Sequence, residues 1–321
     1  MATKNSPVLP LAEETCEEVR RCWRSQPDKL LFFGVLGPWL ALFHFWGNST
    51  FGFKKTSSLF GWMYYVFQTS VDDQFCLFVP LLVLGLFYWK REELMATPKQ
   101  SWWPGILLIG LGLAIHVLGY MVQQTRISVI GFFVGLYGLM GLVWGRHWLK
   151  ATFFPMFLFA FCVPLGTMAD SLTLPLRILV TKVAVGIGHH ALSINVSAVG
   201  AQIFNGQGIP LYDVAPACSG IRSLTAMLAL IIIYSFLFFT RPWKRWLIIS
   251  AAVPVAIAGN VARISVVIMV GEVFGQEAGV MVEQKFGFIT FLVALICMAS
   301  LGHWLRERAG VPLASWKENP A

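Results

Sequence analysis

The chain has 321 residues, of which 57% are hydrophobic and only 12% charged. Soluble domains carry about 25% charged residues, so this composition excludes an ordinary water-soluble globule and describes a polytopic membrane protein. The formal net charge of +8 sits mostly in loops between apolar runs, where it reads as cytoplasmic anchoring and excludes nucleic acid as the partner; the lipid bilayer is the expected surroundings.

Residues 1–29 are polar, with Glu13, Glu14, Glu17, Glu18, Arg20, Arg21 and Arg24. They predict a short solvated helix leading into the membrane from the cytoplasm. No small-residue cleavage site follows an apolar core there, so a cleavable signal is not expected. The membrane domain then runs over 30–305, and 306–321 is a cytoplasmic tail. The first span is expected at 30–47. Asn48-Ser49-Thr50 fits the glycosylation pattern, which is common by chance and carries no argument here. Residues 58–89 are apolar but interrupted at Asp72, Asp73 and Gln74. The second span is therefore 75–89, preceded by an interfacial stretch with Trp62, Tyr64 and Tyr65. Spans three to five are expected at 103–122, 127–145 and 151–167. The fourth carries Gly131, Gly135, Gly138 and Gly141, a spacing that lets helix backbones approach closely.

Residues 174–199 are apolar but carry Arg177, Lys182, His189 and His190. A charge near the bilayer centre is costly, so this segment is expected to be re-entrant or interfacial. Residues 200–217, with three glycines and no basic residue, read as an outside loop. Spans six to eight are expected at 220–240, 246–270 and 286–304. The fold class is thus all-α, a helical bundle of about eight spans plus the re-entrant or interfacial segment. Charge supports this count. With 174–199 not crossing, Lys90/Arg91, Arg146/Lys150, Arg241/Lys244/Arg245 and Arg306/Arg308 all fall on the cytoplasmic side, as do both termini. Lys54, Lys55 and Arg126 are exceptions, in outside loops.

Two stretches carry chemistry. Asp213-Val-Ala-Pro216-Ala-Cys218-Ser219-Gly220-Ile-Arg222-Ser223 opens directly into the sixth span. Ser219 and Gly220 suit a helix start, which puts Cys218 at its amino end. Unpaired amides and the positive end of the helix dipole favour thiolate there. Arg222, four residues on, lies on the same face. In the seventh span, Asn260 and Arg263 are three apart and share a face in its outer half. An arginine inside a span is a functional-site hypothesis by default. Glu272, Glu277 and Glu283 follow outside. Six cysteines, Cys16, Cys22, Cys76, Cys162, Cys218 and Cys297, include no C-x-x-C. Neither a disulfide framework nor a zinc site is expected, and no metal or organic cofactor is indicated.

Pro216-Ala-Cys218-Ser-Gly220-Ile-Arg222-Ser223 followed by Asn260-x-x-Arg263-Ile264, in a chain of about eight spans, resembles the exosortase/archaeosortase family. The resemblance implies a membrane cysteine transpeptidase or protease acting on the carboxy-terminal tail of membrane-tethered proteins: a short PEP-type motif, a membrane helix and a basic tail. It implies a bacterial inner-membrane enzyme with its site on the periplasmic face, linked to protein sorting and exopolysaccharide. The family's cysteine and arginine carry over as Cys218 and Arg263. Its third residue is usually histidine, four before a glycine that here is Gly287. That position holds Glu283, and Phe75 stands near the place of a second histidine. Glu283 would then serve as acid and base, with His189 or His190 as substitutes from the neighbouring segment. A catalytically degenerate scaffold for exopolysaccharide export is the alternative. A transporter is a further one, but it predicts broken helices in both halves, and the polar intramembrane residues cluster in the second.

Overall fold

The computed structural model describes residue 20 and residues 28–50, 55–70, 73–164, 167–213 and 221–305. Most of the expected lead-in and the carboxy-terminal tail lie outside them. The chain is helical almost throughout and divides into two compact units, Met1–Pro164 and Leu165–Ala321.

The first unit holds α1 (Lys29–Trp46), α2 (Leu59–Thr69), α3 (Val79–Trp89), α4 (Arg91–Ala96), α5 (Gly105–Met121), α6 (Thr125–Trp144) and α7 (Arg146–Phe157). Its centre is the α5–α6 pair, which meets backbone to backbone. A methyl placed on Gly112 would lie 2.6 Å from Gly131 O and Gly135 N, and one on Gly138 2.8 Å from Ile109 N. Glycine is thus required by contact, as the spacing in the fourth span implied. Trp39 of α1 lies over Gly135 and donates its indole N–H to Phe132 O at 3.3 Å. Phe43, Leu59 and Val129, all fully buried, complete this core. Asn48 is a structural knot. Its Oδ1 accepts from Thr125 Oγ1 at 2.7 Å and Thr50 Oγ1 at 2.6 Å, and its Nδ2 donates to Thr56 O at 2.6 Å. The amide that a glycan would need is therefore consumed inside the fold.

The second unit holds α8 (Thr167–Ala191), three strands, α9 (Ile221–Phe238), α10 (Pro242–Phe274) and α11 (Gln276–Leu305). Among the described residues, α1, α6 and α10 are long and apolar enough to cross a membrane, and shorter apolar helices include Gly105–Met121, Met227–Phe238 and Phe291–Leu305. Residues 174–199 form the later part of α8 and the first strand. α8 is one continuous helix laid lengthwise on α10. Gly188 sits against Ile268, and Val180 and Ala184 join Ile264 and Val267 in one buried cluster. The segment does not double back on itself. It takes its charges by partition: Lys182 is exposed, while Arg177 faces inward with the buried stripe.

The stretch read as an outside loop is a small antiparallel sheet, β1 (Val196–Val199), β2 (Gln202–Asn205) and β3 (Pro210–Asp213), in that order. Gly200, at φ +64°, makes the two-residue link from β1 to β2. Asn205 Oδ1 caps the next turn, accepting from the amides of Gln207 at 3.0 Å and Ile209 at 2.8 Å. Val196, Ile203 and Tyr212 turn to one side and bury against α8 and α10. Alternation over so few residues is easily lost among glycines, but Asn205-Gly206 is a turn signal with a mechanism.

Candidate active site

α10 places the polar residues. It begins with Pro242 at its first turn, where the missing amide costs nothing. It ends at Gly275, whose φ of +92° and ψ of 160° suit only glycine and turn the chain into α11. Its buried residues fall into two sectors at about 100° per residue. Ile257, Val261, Ile264 and Ile268 belong to the cluster with α8 and the sheet. Ile248, Ile249, Ala252 and Ala256 belong to the cluster with α9 and α11. Asn260 lies where the two sectors meet and Arg263 within the arc of the second, at 7% and 8% exposure. They continue through Val267 to Gly271 as one stripe. Burying a guanidinium this completely in a largely apolar helix is expensive, and packing alone supplies no reason for it.

The α10–α11 hairpin fixes levels along the axis. Gly271 and Gly279, each four residues from Gly275, both contact the ring of Tyr212. Further down, Ala256 and Ala294 share a cluster. By that symmetry Arg263 is level with Gly287, and Glu283 is level with Val267. Glu283 therefore lies one turn, about 6 Å, nearer the corner than Arg263, a separation an arginine side chain spans. The backbone of Glu283 belongs to α11; its side chain lies outside what is described, as does that of Arg222 at the second position of α9.

The sheet positions the remaining piece. Tyr212 drops into the notch between Gly271 and Gly279, and Gln276 Nε2 donates to Leu211 O at 2.8 Å. These contacts pin β3 to the hairpin corner. Cys218, Ser219 and Gly220 lie outside the described residues, between Asp213 and Ile221. Chain length still bounds Cys218. It is five residues from Asp213, at most about 17 Å, and three from the start of α9, at most about 10 Å.

His189 and His190 end α8, both exposed, their rings edge to face at 5.1 Å. They follow Gly188 on the side of α8 away from its buried stripe, so neither joins Asn260 and Arg263. Sequence reading treated Arg177 as an interruption and passed over Thr181. Both are buried, at 9% and 0% exposure, on the stripe of α8 that continues through Ala184 to Gly188. The spacing 177, 181, 184, 188 was the available signal.

The molecule is therefore a multi-helix membrane protein with a buried asparagine–arginine stripe beneath a pinned sheet. A family model described as Transmembrane exosortase (Exosortase_EpsH) matches residues 62–300, and the chain belongs to that family. Its members are membrane transpeptidases or proteases, in general cysteine enzymes. No curated protein and no solved structure matches the chain.

Proposed function

We propose that this chain is a cysteine-type transpeptidase or protease that cleaves the carboxy-terminal sorting signal of exported proteins at the periplasmic face of a bacterial inner membrane. Cys218 is the nucleophile. Its thiolate adds to the peptide carbonyl, and the negative charge that develops on oxygen is met by Arg263 and Asn260 in a water-poor site, where such donors are strongest. The carbon–nitrogen bond then breaks. The departing amine takes a proton from Glu283, and a thioester remains on Cys218. An amine, a hydroxyl or water attacks the thioester, giving its proton back to Glu283, and the thiolate leaves. Arg222, Ser219 and Gly220 hold the amino end of α9 as an anion-favouring surface around the sulfur.

The observation that carries this reading is the burial of Asn260 and Arg263 on the α10 stripe that ends under β3, the strand running into the Cys218 segment. The test is processing of a tailed protein from the same genome, one ending in a short motif, a membrane helix and a basic tail. Cys218→Ala and Arg263→Ala should each abolish processing while membrane insertion stays normal. Arg263→Lys should remain inactive, since an ammonium lacks the planar fork of a guanidinium. Normal processing by the cysteine or the alanine variant removes the site as drawn.

A further inference from the structure

Among the described residues, β3 is an edge strand of the meander. The direction of its backbone groups follows from the ladder. The two-residue link makes Val199 and Gln202 a hydrogen-bonded pair, so Gln202 turns its amide and carbonyl to β1 and Ile203 turns its own to β3. The bond from Asn205 N to Ile209 O at 3.0 Å keeps the same alternation. Ile203 faces Tyr212, so Tyr212 points its amide and carbonyl back at β2, and across the flanking trans peptides the Leu211 carbonyl and the Asp213 amide face outward; Leu211 itself is the extra residue of a bulge, since Phe204 pairs with Pro210. The Leu211 carbonyl is indeed met from outside, by the exposed Gln276 carboxamide at 2.8 Å. That carboxamide is a primary amide standing where the backbone N–H of a neighbouring strand would stand.

We propose that the outer edge of β3 is the substrate-docking surface, and that an extended stretch of polypeptide next to the bond to be cut adds to it as a fourth strand. Its backbone donates to the Leu211 carbonyl, accepts from the Asp213 amide and displaces the Gln276 side chain. The inference rests on the reading of Cys218 as nucleophile. The occupant follows from continuity: the Cys218 segment follows β3 directly in sequence, so a strand registered on Asp213 lies within about 22 Å of that residue, five residues of chain plus one strand spacing. Edge pairing takes an extended chain through its backbone and leaves selectivity to alternate side chains. A membrane helix has no free backbone groups to offer in that way.

The test measures binding, not turnover. A peptide spanning the junction between the short motif and the membrane helix of a tailed protein is titrated onto the full-length Cys218→Ala chain in detergent. Each amide of the peptide is N-methylated in turn. Alternate positions should weaken binding about tenfold and intervening ones leave it unchanged. Asp213→Pro deletes only an outward N–H, a substitution edge strands tolerate, and should cost about tenfold against Asp213→Ala. A flat N-methyl profile, or equal binding by the two Asp213 variants, overturns the proposal. So does a dimer of this chain that Asp213→Pro dissolves and the peptide does not compete with. The N-methyl series needs no variant of the strand, so it stands even where Asp213→Pro misfolds. An alternating profile on a chain that never processes the tailed protein would keep the edge and sink the chemistry. A flat profile on an active enzyme would do the reverse.

Discussion

Tyr212 gives the sheet its seat, and Gly271→Ala measures what the seat is worth. A Cβ on Gly271 would overlap the phenol oxygen and lie 3.0 Å from Cζ; one on Gly279 would also overlap the oxygen and lie 3.0 Å from Cζ. The ring is 7% exposed and carried on a strand tied down by Gln276. Neither helix backbone can yield, so the ring must withdraw, at about 1–3 kcal/mol for overpacking. Alanine also gains up to about 1 kcal/mol over glycine in a helix, so the comparison needs a control. Gly186 of α8 is suitable, since a methyl there meets nothing within 4 Å. Gly186→Ala should match or exceed the parent in thermal midpoint in detergent, and Gly271→Ala should fall below Gly186→Ala by the full 1–3 kcal/mol. Limited proteolysis should cut Gly271→Ala, and not Gly186→Ala, in the turns near residues 200 and 207. Tyr212→Phe removes the oxygen that both methyls would meet, so combined with Gly271→Ala it should recover part of the loss, a coupling near 1 kcal/mol. If Gly271→Ala is as stable and protease-resistant as Gly186→Ala, the ring is not in the notch and the argument that β3 is pinned above Arg263 fails.

Two glycines on α5 should separate in the same way: Gly112→Ala, with Gly131 O and Gly135 N at 2.6 Å, should cost about 2–3 kcal/mol, whereas Gly110→Ala, which meets nothing within 4 Å, should be neutral or stabilising in the same unfolding assay. Asn48→Ala leaves the Thr50, Thr125 and Thr56 groups without their partner and should lower stability by about 2–4 kcal/mol, and Thr125→Val should couple to it in a double-mutant cycle. In a Cys16→Ser/Cys22→Ser background, a membrane-impermeant thiol reagent added outside should label Cys218 quickly, because Cys76 and Cys162 are at 1% and 0% exposure and Cys297 lies within the apolar run Phe291–Leu305; rapid labelling that survives Cys218→Ala would contradict this.

Much of the helical frame was legible because membrane helices announce themselves by length. The spans expected at 30–47, 103–122, 127–145 and 220–240 end within two residues of α1, α5, α6 and α9. α10 and α11 extend beyond their expected spans at both ends, since polar residues such as Lys244, Glu272 and Glu277 end a hydrophobic run without ending a helix. The glycine contact of α6 was readable from spacing, but its partners Gly105, Gly112 and Gly119 on α5 were not, because spacing on one helix does not name the helix it meets. Arg263 and Asn260 stood out as polar residues in an apolar run, and their shared face survives in the structure. Their place at the border of two packed clusters was invisible, because it depends on where α8 and α11 pack. The charge argument over 174–199 assumed that each cation needs water. Arg177 shows the other solution, burial on a face that packs lengthwise on a neighbour.

The sheet changes what the helical frame can do. A membrane helix satisfies every backbone group within itself, so a bundle alone offers an extended peptide only side chains. The meander adds an outward carbonyl at Leu211 and an outward amide at Asp213, and its position is set by the same α10 stripe that buries Arg263. Gly271, two turns beyond Arg263 on that stripe, receives Tyr212, and Tyr212 stands six residues before Cys218. One helix face thus fixes both the depth of the guanidinium and the approach of the strand that leads to the cysteine. An insertion of a single residue between Arg263 and Gly271 would rotate one against the other by about 100° and separate the two functions, although the hydrophobic run, and with it the membrane span, would be untouched.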